Sequence, residues 1–187
     1  MEASFKQSYS DKTSKEDKYK IFLEQFAPLI EDEKDIISVL ANTAAALKEA
    51  FDFFWVGFYL VDTKGSELQN GGILKLGPFQ GSVACYRIKK GRGVCGTAWS
   101  EAQTQVVPDV DKFPGHIACS SLSRSEIVVP IIVPEDSSAS HPSKDSSSQV
   151  VGVLDIDSDQ LNTFDETDKV YLEKVVGLLV QNLFIKK

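Results

Sequence analysis

FFWVGFYLV, residues 53–61, packs aromatic and β-branched side chains around a single glycine. The run is too short for a buried helix and too rich in β-formers, so it reads as a central strand. Alternation puts Phe54, Val56, Phe58 and Leu60 on one side and Trp55, Gly57 and Tyr59 on the other. Trp55 and Tyr59 stand roughly 13 Å apart along such a strand, and Gly57 leaves a gap between them. Two aromatics with polar tips on either side of a glycine can wall a small pocket. Ordinary sheet packing is the commoner use of buried Trp and Tyr, each of which then finds one hydrogen bond.

Outward from this strand, helical spacing appears upstream in Tyr19, Phe22, Phe26 and Leu29, and again in Ile36, Ile37, Leu40, Ala44 and Leu47. Downstream, a turn at DTKGS (62–66) leads to a strand around 67–76, and VACYRI (83–88) gives another apolar run. Gly91, Gly93 and Gly96 lack the lysine and spacing of a phosphate loop and read as tight turning and close backbone approach. Further strands are expected at 104–107, 126–133 and 149–156, and a helix at 165–185, with Asp165 as its N-cap and Val170, Val175, Leu178 and Leu179 on its apolar face. Short loops between many strands imply a mainly antiparallel sheet with helices segregated to one face, an α+β layout. Residues 1–14 are polar and read as a flexible tail; 15–187 form one domain. The Ser-rich stretch at 135–149 reads as a flexible insertion.

Composition narrows the function classes. The chain has 187 residues, 42% of them apolar, which suits one compact domain, and a formal charge of −7 that argues against nucleic acid. No apolar stretch approaches the roughly 20 residues of a membrane span, and the polar N-terminus is unlike a signal peptide. A cytoplasmic location is expected. Cys85, Cys95 and Cys119 are an odd set, so they read as thiols rather than a structural disulfide framework. A zinc site would prefer a Cys-x-x-Cys knuckle, which is missing, although His116 offers a fourth ligand.

Two stretches carry candidate chemistry. In VLDIDS (153–158), Asp155 and Asp157 share one strand face if the strand persists. Like charges there imply a bound cation, a shared proton, or the solvated end of the strand, and the last is the commonest reason. In PGHIACSSLSRSEIVVPI (114–131), Cys119 falls on a loop and Glu126 opens the following strand. A reactive thiol needs a lowered pKa, for which His116 and Arg124 are candidate partners. Should these groups converge, attack by a thiolate on an oxidised substrate would leave a sulfenic acid, which a neighbouring thiol condenses to a disulfide.

LGPFQGSVACYRIKKGRGVCGTA (76–98), VPDVDKFPGHIACSSLSRSEIVVPI (107–131), VVGVLDIDS (150–158) and WVGFYL (55–60) closely resemble the free methionine-(R)-sulfoxide reductases, which are built on a GAF domain. The resemblance implies a six-stranded antiparallel sheet with the N- and C-terminal helices packed on one face, and a homodimer joined through those helices. It implies thioredoxin-dependent reduction of free methionine (R)-sulfoxide, with no metal and no cofactor. Carried over by residue, Cys119 matches the nucleophile, Cys85 the resolving cysteine and Cys95 an additional thiol able to join the exchange. Trp55, Tyr59, Glu126, Asp155 and Asp157 match the substrate pocket. Ser120 stands where the family has an acid, and the 135–149 insertion replaces a short turn. The alternatives are a non-catalytic GAF module that senses a small molecule and, more weakly, a structural zinc protein.

Overall fold

The computed structural model describes residues 5, 12–64, 71–117, 121–134 and 148–185. Most of the expected tail and nearly all of the Ser-rich insertion lie outside the described residues, as does Cys119. Of the first eleven residues Phe5 is described, and its ring is buried 5.2 Å from that of Phe22.

Two helices come first, α1 (Lys15–Ile30) and α2 (Ile36–Phe51), followed by strands β1 (Trp55–Asp62), β2 (Ile73–Gln80) and β3 (Arg87–Lys89). A short helix α3 (Gly93–Glu101) leads to β4 (Gln105–Val107), a 3-10 turn at Val110–Lys112, β5 (Ser125–Pro134), β6 (Ser148–Ser158) and α4 (Glu166–Leu183). The strands form a six-stranded sheet in the order β3-β2-β1-β6-β5-β4, antiparallel at every step. The architecture is thus the expected α+β sheet with its terminal helices on one face.

β1 and β6 occupy the centre, and both faces are covered, which is why FFWVGFYLV is apolar on both sides. One face, with Val56, Phe58, Ile127, Val129, Leu154 and Ile156, packs under α1, α2 and α4. The opposite face carries Trp55, Tyr59, Val128 and Val153 and is roofed by α3 through Val94, Cys95, Ala98 and Trp99. The helices are therefore not all on one side, because α3 covers the face that α1, α2 and α4 leave open.

Strand β2 departs from its expected span. It runs on through Leu76-Gly77-Pro78-Phe79, and its register with β1 moves from Gly57↔Phe79 to Tyr59↔Leu76, one extra residue on β2. That bulge accommodates Pro78, which has no N–H to donate, beyond the short stretch where β3 pairs. VACYRI accordingly yields only the three residues of β3. Three residues expected on apolar helix faces, Leu29, Ile37 and Val170, are exposed; Ile30, Val39 and Leu172 are buried instead. Among the described residues no helix is long and apolar enough to cross a membrane.

The helices start where side-chain acceptors satisfy their first N–H groups: Ser14 for α1, Asp35 for α2 and Asp165 for α4, the last in a reciprocal capping box with Asp168. Asp168 is buried, and its carboxylate accepts from Tyr19 Oη at 2.8 Å and Lys15 Nζ at 2.6 Å, joining α1 to α4. Removing one donor leaves a buried carboxylate short of a partner. Tyr19→Phe should cost about 1–3 kcal/mol in urea unfolding and leave ligand binding on the α3 face unchanged; an unaltered midpoint would contradict this account.

Candidate active site

The sheet register brings the candidate residues together in two transverse rows. Trp55 on β1 pairs with Asp157 on β6, which pairs with Glu126 on β5. The adjacent row is Gly57, Asp155 and Val128. Side chains at alternate positions share a face, so all three carboxylates point to the α3 side beside Trp55 and Tyr59.

Gly57 does not leave an open gap. A Cβ there would lie 2.4 Å from Phe79 Cβ and 2.5 Å from Trp55 Cη2, because the indole lies over the glycine. Trp55 stacks 5.4 Å from Phe79 and 6.3 Å from Tyr59 and donates its Nε1–H to Ser82 O at 2.9 Å. The glycine thus sets how deep the indole sits, and the two aromatics form one continuous wall.

The two aspartates are not at the solvated end of a strand. β6 ends one residue beyond Asp157, at Ser158, but that end is roofed: Asp155 and Glu126 are each only 6% exposed. From α3, the Cys95 thiol descends onto them and donates to Glu126 Oε1 at 3.9 Å, a weak sulfur hydrogen bond. Gly96 permits this approach: a Cβ on it would come within 2.4 Å of Lys89 O. Asp157 is half-buried and accepts a hydrogen bond from the Ser123 side chain. Asp155 Oδ1 is buried without a hydrogen-bond partner among the described residues.

Crowded burial sets the protonation states. Desolvation, then repulsion from Asp155 and Asp157, pushes the Glu126 carboxyl well above its ordinary range. Asp155 is driven up in the same way, by burial and by Asp157. Burial raises Asp157 to about 6, against the pull of the Ser123 hydrogen bond. The Cys95 thiol is pushed well up by burial and by the acids beneath it, so it rests as a neutral S–H. Burial lowers His116, leaving the imidazole neutral near pH 7.

These groups line one cavity with Trp55, Tyr59 and Cys95. It offers about 40 Å³ to the centres of water-sized molecules, space for a small polar solute. His116 lies in the wall with Nδ1 unpartnered among the described residues, whereas Arg124 is not among the lining residues. Cys85 is half-buried and disulfide-bonded, while Cys95 is a free thiol. Two polar lining residues were not read from the sequence. Arg92 precedes α3 as its N-cap residue, where an arginine in a glycine-rich turn looks ordinary, and Ser123 sits in a serine-rich loop that hides it.

The GAF domain family model matches residues 35–183. The chain is similar to GAF domain-containing protein A of Dictyostelium discoideum, at 53% identity covering 90% of this chain and 94% of that protein. It is similar to the free methionine-R-sulfoxide reductase of Saccharomyces cerevisiae, at 39% identity covering 96% of this chain and 93% of that one. The X-ray structure of free methionine-R-sulfoxide reductase from Neisseria meningitidis in complex with its substrate matches with a TM-score of 0.76 at 50% identity, covering 94% of this chain and 92% of that one.

A raised carboxyl pKa makes the protein less stable as pH rises. Unfolded, Asp157 ionises near 3.8; folded, near 6. Between those values the unfolded state has released the proton that the folded state still holds, so each step up in pH favours unfolding. Asp157→Asn should therefore stabilise the ligand-free protein by several degrees at pH 7.5 and flatten the fall in melting temperature between pH 4 and pH 6. A steeper fall in the variant would reverse the assignment.

Proposed function

Because the chain belongs to the GAF domain family, among the free methionine-R-sulfoxide reductases, we propose that it is an oxidoreductase that reduces free methionine (R)-sulfoxide to methionine in this acid-lined cavity. The observation that carries the reading is three carboxyl groups gathered beside Trp55 and Tyr59, one with a buried oxygen that has no hydrogen-bond partner among the described residues. A free amino acid presents an ammonium and a polar S–O group to such a site, and the aromatic wall suits its methyl thioether.

In the proposed reaction the Cys119 thiolate attacks the sulfoxide sulfur while a carboxylic acid protonates the oxygen. Oxygen passes to the cysteine, giving methionine and the Cys119 sulfenic acid. Cys85 then attacks that sulfenic sulfur, releasing water and forming a disulfide. Cys119 is the proposed partner of Cys85, which is consistent with Cys85 being disulfide-bonded while Cys95 is free. A dithiol protein, proposed to be thioredoxin, returns both to thiols. Cys95, buried and neutral, is a poor nucleophile at rest, so any part it takes in thiol exchange follows opening of the cavity.

The acids divide by depth. Burial pushes the Glu126 and Asp155 carboxyls well above their ordinary range, and one of them is the proposed proton donor to the leaving oxygen. Asp157, ionising near pH 6, is the proposed partner of the ammonium. A peptide-bound sulfoxide lacks that charge and would leave the carboxylate unpaired. Ser120 in place of an acid removes a negative charge next to the nucleophile, which favours the thiolate.

A cytoplasmic homodimer joined through the terminal helices completes the proposal. Leu29, Ile37, Phe184 and Ile185 are exposed. Lys34 and Asn182 tie the α1–α2 turn to the end of α4, which gathers these apolar side chains at one end of the helical layer.

NADPH oxidation coupled through thioredoxin and its reductase tests the function, with the free R epimer, the free S epimer and a blocked peptide sulfoxide as substrates. Turnover of the free R epimer alone is expected, lost in Cys119→Ser; equal or absent turnover on all three would falsify the reading. Glu126→Gln should lower kcat by ~10²–10⁴, and Asp157→Asn should act mainly through KM. If neither those variants nor Asp155→Asn alters turnover, acid assistance is wrong.

A further inference from the structure

The metal set considered from sequence was the three cysteines with His116, but the fold gathers a different one. Cys95 Sγ and one carboxylate oxygen each from Glu126 and Asp155 lie within 4.8 Å of one another, all three residues buried. The Cys95 Sγ to Glu126 Oε1 separation is 3.9 Å. Around tetrahedral zinc, with bonds near 2.3 Å to sulfur and 2.0 Å to oxygen, sulfur and oxygen ligands stand about 3.5 Å apart. The trio therefore needs small side-chain movements, not a backbone rearrangement, to close on an ion. An independent observation points the same way. Asp155 is 6% exposed, and its Oδ1 has no hydrogen-bond partner among the described residues. The Asp155 carboxyl also meets Cys95 and Glu126, but its Oδ1 is a buried, unfilled position that a cation displacing the carboxyl proton, or a hydrogen-bonding ligand, would occupy. The three residues also line the cavity, which leaves a fourth coordination position for water.

We propose that the cavity binds a thiophilic divalent cation, zinc above all, through Cys95, Glu126 and Asp155, and that the ion competes with the substrate, whose sulfoxide oxygen needs the same two acids. One sulfur and two oxygens suit zinc, whereas magnesium and calcium take oxygen ligands and gain nothing from the thiolate. Occupation would make zinc an inhibitor of the proposed reductase. The competition rests on that functional reading; the metal site does not.

The test uses Cys85→Ser/Cys119→Ser, in which Cys95 is the sole cysteine, titrated with cobalt(II) as a spectroscopic replacement for zinc. One cobalt per chain is expected, with thiolate-to-metal charge-transfer absorption that zinc bleaches and free methionine sulfoxide displaces. Adding Cys95→Ser should abolish that band and weaken binding by about 100-fold or more, since loss of an outer-shell partner alone costs ~10–100-fold. Glu126→Gln should weaken binding while keeping the band, and thermal melts of all variants establish that they fold. A missing band, affinity indifferent to Cys95, or cobalt and sulfoxide bound together would overturn the proposal. Turnover of the wild-type chain on the free R epimer is measured separately. Active enzyme without the cobalt band refutes the metal site alone, and a band without turnover refutes the reductase reading alone.

Discussion

The rest of the structure is arranged around the burial of three carboxyl groups on one face of β5 and the central strand β6. Glu126 pairs with Asp157 across β5 and β6, and Asp155 stands two residues away on β6 with its side chain on the same face; burial raises all three, and Asp157 adds repulsion to the other two. Such a cluster is costly to bury and survives only on a scaffold with stability to spare. The opposite face supplies it: α1, α2 and α4 bury Phe22, Phe26, Leu40, Leu47, Phe58 and Leu172 against the same strands. One face of the sheet is conventional hydrophobic core, and its surplus allows the other to hold groups that water would prefer to keep.

The backbone fixes these acids more firmly than their own side chains do. Asp155 and Asp157 are central in the sheet, paired with β1 on one side and β5 on the other, so neither can turn away to solvent without breaking two ladders. Trp55 is immobilised in a similar manner by Phe79, Tyr59 and the hydrogen bond to Ser82. Gly57 lets the indole lie flat on the sheet. What a ligand meets is thus largely preorganised, and little ordering entropy remains to be lost on binding.

Much of this was legible in the sequence because strand alternation is a strict rule. Period two alone places Trp55, Gly57 and Tyr59 on one face and sets Asp155 beside Asp157. The depth of the acids was not legible, since a strand ending in Asp-x-Asp-Ser looks the same whether it stops in solvent or continues under a roof. That roof is α3, a nine-residue helix whose glycine-rich start reads as a turn. Contact between Cys95 and Glu126 spans thirty-one positions, a separation no local pattern encodes. The bulge at Gly77-Pro78 escaped for a related reason: turn residues signal a loop unless a neighbouring strand absorbs them. Helical period sets Leu29, Ile37 and Val170 on apolar faces, but a period gives a stripe and not its edges.

Differing depth gives chemically similar groups different tasks. Asp157 is half-buried and held by Ser123, so its charge is tolerated from about pH 6 upward; Glu126 and Asp155 are deeper, and burial pushes both carboxyls well above their ordinary range. A cavity with one ready anion and one ready acid favours a ligand that brings a positive charge and a weakly basic oxygen together. Free methionine sulfoxide has both, and its ammonium would relieve the repulsion that the fold maintains in its absence. Binding energy gained there would be released only by a ligand with a free amino group, so the discrimination against peptides would arise from the same electrostatic strain that keeps the acid protonated. On this reading specificity and acid catalysis are two consequences of a single choice, the placing of three carboxyl groups where the sheet has no room for their charges.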